Sequence, residues 1–173
     1  MKFKSIIVMV LFLMPFMSSA QELTLNMENV NISFVADMQN TKGTISGLQA
    51  KIKFNIDDLA QSSISGTVDA STLDTGNPKR DEHLKSADFF EVATYGTMGF
   101  KSISIEQDRN SYVMKGLLTI RDVEREEKIV FTYANKVFKG ETTIQVALYK
   151  IGNYADKKPE KTNVKITFVL PVM

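Results

Sequence analysis

The chain has no cysteine, no tryptophan and one histidine, and only four of its 173 residues are proline. Without cysteine there is no disulfide framework and no thiolate for catalysis or metal binding, so stability must come from an ordinary hydrophobic core. One domain of this length can supply that core. A single histidine, His83, cannot converge with others of its kind on a metal ion. The carboxylate pairs Asp57-Asp58 and Glu126-Glu127 lie in polar, turn-like stretches that read as solvated loops. Neither a metal nor a cofactor is expected. Charge of one sign is missing too: 21 basic residues face 20 acidic ones, which is not the signature of a nucleic-acid binder. No glycine-rich phosphate loop follows a strand pattern, and nothing resembles the elbow that exposes a nucleophilic serine. Ser86, His83 and Asp81 or Asp88 are near enough in sequence to be weighed as a nucleophile system. Without an oxyanion hole, catalysis ranks last and the chain reads as a non-enzyme.

What is present begins with MKFKSIIVMVLFLMPFMSSA. Lys2 and Lys4 form a positive start, Ser5–Met17 an apolar run too short to span a bilayer well, and Ser18-Ser19-Ala20 a stretch of small residues. This pattern predicts a secretory signal at residues 1–20, cleaved near Ala20, and an exported protein, periplasmic or secreted. No cysteine stands near the cut to carry a lipid. Loss of the two lysines takes the formal charge from +1 to −1. The remainder, 21–173, has no low-complexity linker and no internal repeat, so one domain is expected.

Most of that domain has a hydrophobic period of two. Alternate positions are apolar in Val30–Ala36, Leu48–Phe54, Ile64–Ala70, Tyr112–Ile120, Ile144–Leu148 and Val164–Leu170, with mainly polar residues between. Such alternation gives a strand one apolar and one polar face, as in antiparallel sheets wetted on one side. The run Met98–Ile105 changes phase midway, which predicts a bulge. Turns are expected at Asn40–Gly43, Asp108–Asn110, Lys139-Gly140 and Gly152–Pro159. About eight antiparallel strands can close into a barrel or pack as a two-sheet sandwich; the alternation allows both. By alternation Phe34, Phe54, Val68, Phe100, Met114, Leu118, Val146 and Phe168 should face the interior.

The exception is KRDEHLKSADFF, residues 79–90. Asn77 can cap a short helix over Pro78–Ser86, and Pro78 suits its first turn. Arg80, His83, Leu84 and Ala87 then form an inner edge, and Asp81 falls on a wetter one beside Lys85. Leu84, Phe89 and Phe90 would dock the segment as a plug, with Arg80 and His83 satisfied by carbonyls or carboxylates.

Asp74-Thr75-Gly76 followed by Arg80-Asp81-x-His83-Leu84-Lys85-Ser86-x-Asp88-Phe89-Phe90 resembles the signature segment of the YceI-like family of secreted lipid-binding proteins. Phe100-x-Ser102, Gly116-x-Leu118-Thr119-Ile120, Ile32-Ser33-Phe34 and Gly43-x-Ile45-x-Gly47-Leu48, running on to Ile52-x-Phe54, resemble further blocks of it. The likeness covers most of residues 25–135. It departs at Asn29-Val30, where the family often has His-Ser, and at Asp122–Arg125, where the family usually has Gly-Val-Thr-Lys. There Asp122 can take the left-handed turn position. The C-terminal part also lacks the family's usual Arg-x-Asp-Phe-Gly-like ending.

The resemblance implies an all-β, eight-stranded antiparallel lipocalin-like barrel with a short helix closing one end. It also implies that the interior binds a long apolar lipid, a polyisoprenoid or isoprenoid quinone, for carriage, storage or envelope stress response. The eight inward residues above would be the cavity wall, and Arg80, His83, Phe89 and Phe90 would close the barrel end or meet a headgroup. Transient membrane contact and a homodimer are both compatible with this reading. The competing reading is a β-scaffold with a filled core acting through protein–protein contacts.

Overall fold

The computed structural model describes residues 20–154 and 156–173, apart from the side chains of Gln39 and Asn153. The expected signal segment, other than Ala20, lies outside the described residues. In chain order the elements are β1 (Gln21–Leu23), β2 (Asn31–Ala36), β3 (Thr41–Phe54), β4 (Ser63–Asp74), α1 (Pro78–Lys85), β5 (Thr97–Asp108), β6 (Ser111–Ile120), β7 (Val123–Ala134), β8 (Val137–Gln145) and β9 (Asn163–Pro171). β2 to β9 close into an eight-stranded antiparallel barrel. Strands β3 to β9 follow one another as neighbours, β2 lies between β9 and β3, and β3 pairs with β4 to complete the ring. Short β1 covers the far end of β3, with Gln21 opposite Phe54. Closure removes the exposed edges that a sandwich would leave.

Local chemistry accounts for the joints. Asn135 and Lys136 both have positive φ (51° and 61°) in the two-residue turn joining β7 to β8, the backbone that matches a hairpin's twist. At the β6–β7 turn the left-handed residue is Arg121 (φ 56°), not the expected Asp122. Arg121 accepts that conformation while its guanidinium donates to Phe89 O and Glu91 Oε2, both at 2.9 Å, and lies 5.4 Å from the Tyr95 ring centroid. The expected bulge in β5 is present: pairing steps from Ser102 opposite Gly116 to Ser104 opposite Lys115, and the intervening Ile103 is 60% exposed. β3 also shifts register between Ser46 and Gln49, around Gly47 at φ 71°, so its inward row passes from Ile45 to Leu48.

Some sequence expectations fail for identifiable reasons. Lys139-Gly140 is not a turn but the middle of β8, and Thr41–Gly43 already belongs to β3. These glycines serve the sheet: a Cβ on Gly43 or Gly140 would collide with the rings of Phe34 and Phe168 respectively. Glu126-Glu127 is not a loop but part of β7, a strand concealed by the charged run Glu124–Lys128. The alternation at Ile144–Leu148 is a strand only to Gln145, after which Val146–Tyr149 turns as a 3₁₀ helix.

The interior divides in two. Toward one end Phe54, Tyr112, Phe131, Tyr133 and Phe138 meet ring to ring with centroids 4.3–5.9 Å apart, supported by Leu25, Ile105 and Val172. Aromatic pairs of this kind add about 0.5–1.5 kcal/mol each beyond the area they bury. Toward the other end lie α1, the 86–95 loop and the 146–154 segment. There Phe89, Ile120, Ile144, Val146, Tyr149, Ile151 and Val164 form a second cluster.

Candidate functional site: an apolar cavity at the helix end

Between the two clusters the barrel encloses a cavity of about 470 Å³, walled mainly by aliphatic and aromatic side chains from all eight barrel strands, β7 contributing Ile129 and, in addition, Glu127. That volume is in the range of small-molecule sites, about 300–1,000 Å³. A larger space of about 830 Å³ lies outside, where Thr72–Asp74 meets Pro78, Asp81, Glu82 and Lys85. It is an open groove with charged walls, and it encloses nothing.

The cavity exists because its aromatic rings lie against the wall instead of crossing the lumen. The Phe34 ring covers Gly43, its cross-strand partner, and Phe168 covers Gly140 in the same way. Phe100 reaches diagonally over Gly116, where a Cβ would also press within 2.5 Å of the Lys101 carbonyl oxygen. An inward glycine beside each ring provides the space for this, which explains the glycine in three separate strands. Small residues at Ala36 and Ala50 leave further room.

Phe34, Val68, Phe100, Met114, Leu118, Val146 and Phe168 all line this cavity, Val146 from the 3₁₀ turn rather than from a strand. Phe54 does not. Although it faces inward, it is 6% exposed within the aromatic cluster, in edge contact with Tyr112, Phe131, Tyr133 and Phe138. Alternation identifies the face of a strand but not how deep along the barrel a residue lies.

The helix segment is capped as its sequence implies, but of the expected inner edge His83 and Ala87 are exposed. Asn77 Oδ1 accepts from Arg80 N at 3.2 Å, and Ser86 ends the helix by donating from N and Oγ to His83 O. Those bonds make Ser86 the cap of the helix. Arg80, His83, Phe89 and Phe90 all line the cavity, with Phe89 buried and His83 exposed, so the cavity reaches the surface beside α1. The His83 ring stands edge-on to Phe89 at 4.6 Å. Arg80 is held by donation from Nε to Thr75 Oγ1 (2.7 Å) and from Nη2 to Thr75 O (2.9 Å).

Asp81 corrects the expected wet edge, being only 9% exposed. Its Oδ1 accepts from both Thr75 N and Thr75 Oγ1. Burial raises its pKa, but these two bonds, with Lys85 and Arg80 nearby, outweigh burial and hold the carboxyl below the usual carboxylate range. Arg80, Thr75 and Asp81 thus form one chain of bonds that ties α1 to the end of β4.

The residue that sequence reasoning missed is Glu127. Its side chain lines the cavity, and Oε1 accepts from the Tyr149 hydroxyl at 2.8 Å. Tyr149 is fully buried; burial first and Glu127 second push its pKa well up, so the phenol stays a donor. The signal was available: Glu127 is in step with Ile129, Phe131 and Tyr133 on the inward row of β7. Among the described residues no group of three or more His, Cys, Asp or Glu is placed to hold a metal ion.

A family model for the YceI-like domain matches residues 23–172. The chain belongs to the YceI-like family. Protein YceI of Escherichia coli O157:H7 is 30% identical over 83 residues, 48% of this chain and 44% of that protein. A UPF0312 protein of Ectopseudomonas mendocina is 27% identical over 120 residues, 63% of each. The first of these alignments spans less than half of the relative's length and the second less than two thirds. Among solved structures, BcnA of Burkholderia cenocepacia superposes with a TM-score of 0.77 at 25% identity, covering 84% of this chain and 98% of BcnA. A domain from Saccharophagus degradans, described as polyisoprenoid-binding, superposes with a TM-score of 0.61 at 14% identity, covering 86% of this chain and 96% of its own. At that identity the likeness concerns the fold.

Proposed function

We propose that this YceI-like barrel binds one long apolar lipid, a polyisoprenoid or the tail of an isoprenoid quinone, and carries or stores it outside the cytoplasm. The observation that carries this is the 470 Å³ apolar cavity, kept open by three Phe–Gly pairs. The polyisoprenoid-binding neighbour supports the class of ligand. Each buried CH₂ contributes about 0.8 kcal/mol relative to water, so one isoprenoid unit approaches about 4 kcal/mol before the cost of ordering the chain. Against a membrane that gain nearly vanishes, because the lipid is already out of water. The protein then competes through close contact and shape, which a narrow barrel provides. Family membership supports binding rather than catalysis, and brief membrane contact follows from the need to collect the lipid. A filled-core scaffold does not account for a void of several hundred Å³.

The test is titration of the mature protein with a fluorescent long-chain probe. Saturable one-to-one binding, displaced by farnesol and lost in a folded Leu118→Arg variant, is expected. A folded Leu118→Arg protein that binds the probe as the parent does would contradict the assignment of the cavity. The export proposal is checked separately, by an intact mass that begins at Gln21.

A further inference from the structure

Among the described residues lining the mainly apolar cavity, Glu127 is the one acidic side chain. Its Oε1 is taken by the Tyr149 hydroxyl, while Oε2 accepts no hydrogen bond from the described residues. A tie between β7 and the 146–154 segment needs only one acceptor oxygen, which an amide or a hydroxyl would supply. A carboxylate on a ligand wall carries a further acceptor and a charge sign, and both bear on what can be bound.

Resting on the carrier reading above, we propose that Glu127 reads the polar end of the ligand. The cavity takes a long apolar chain ending in a hydrogen-bond donor, an alcohol or an amine, and discriminates against chains ending in phosphate or carboxylate. A donor end completes Glu127 with a charge-assisted bond in a site poor in water. An anionic end there would face like charge while losing its own hydration. The buried Tyr149 fixes the carboxylate's orientation, so the free oxygen does not depend on a mobile side chain.

The neighbouring cations do not reverse this. Arg125, two residues earlier on the same row of β7, is exposed and makes no ion pair with Glu127, and its charge acts on Tyr149 more weakly than Glu127 does. Arg80 lines the cavity, but its Nε and Nη2 are engaged by Thr75, and its charge acts on the neighbouring Asp81 carboxylate. His83, on α1, is exposed.

The test compares farnesol, farnesylamine and farnesyl phosphate, which share one chain, as displacers of a fluorescent long-chain probe from the mature protein. The alcohol and the amine are expected to bind at least about tenfold tighter than the phosphate. Glu127→Gln retains an oxygen for Tyr149 and removes the charge. It should close most of that gap, by strengthening the phosphate once the like charge is gone and by weakening the amine, with an unchanged melting temperature as the check on folding. Wild-type protein that binds the phosphate as tightly as the alcohol would overturn this inference and leave the carrier reading intact. So would a folded Glu127→Gln variant with the same order of affinities. If none of the three chains binds, the carrier reading itself fails and this inference falls with it.

Discussion

The two ends of the barrel are made from the same inward rows of the same strands, yet one is solid and the other hollow. At the solid end five aromatic rings converge from β3, β6, β7 and β8 and fill the lumen. Around the hollow three phenylalanines, of which Phe100 and Phe168 still pack against the solid end, leave the lumen open because each ring lies on a glycine of the adjoining strand. What differs between the two ends is where the ring volume goes. The solid end holds the fold, and the hollow end is free to hold something else.

Substitutions at the two ends should therefore have different consequences. The largest effect is expected from Phe131→Ala at the solid end. Phe131 is 2% exposed and touches three other rings, so truncation should cost about 3–5 kcal/mol in a denaturant titration. Gly116→Ala at the hollow end comes next. The added methyl meets Phe100 and the Lys101 carbonyl, costing about 1–3 kcal/mol and driving the ring into the lumen, so chain binding should fall with stability. If Gly116→Ala left binding untouched, the glycine would not be what keeps the cavity open.

Asp81→Ala should cost about 1–2 kcal/mol through the loss of both Thr75 bonds. Its pH dependence fixes the cause. The Asp81 pKa is lowered on folding, so its contribution is present above the unfolded value, near 4, and is lost as pH falls through the lower folded value. Melts of wild type and variant should therefore differ at neutral pH and converge in acid. A difference that persists in acid would assign the role to packing. The smallest effect is expected from His83→Ala, under about 1 kcal/mol, because an exposed ring loses one edge contact with Phe89.

Legibility in the sequence follows the same division. Period-two alternation identified the faces of five strands, β2, β3, β4, β6 and β9, and the phase change in β5 marked its bulge at Ile103. The helix at Pro78 was readable because Asn77 and Pro78 are local signals that no tertiary contact overrides. β7 was not readable: its first half carries charge on both faces, and pairing with β6 from Ile120–Val123 to Tyr112–Phe131 decides its structure. Gly140 reads as a turn by propensity and serves as the bed of a ring, which only its pairing with Phe168 reveals. Phe54 was assigned to the correct face but the wrong depth, since depth depends on barrel stagger, which one strand does not encode. Asp81 and Glu127 were both read as wet because charge was weighed before register.

The most direct test of the central claim, that the hollow end is a binding site and not a packing defect, is native mass spectrometry of protein purified without denaturation from its own host. The account predicts a mass above that of the polypeptide beginning at Gln21. One apolar chain should account for the excess, which should be absent in a folded Leu118→Arg variant. Bare polypeptide from the native source, with no added mass in any charge state, would contradict it.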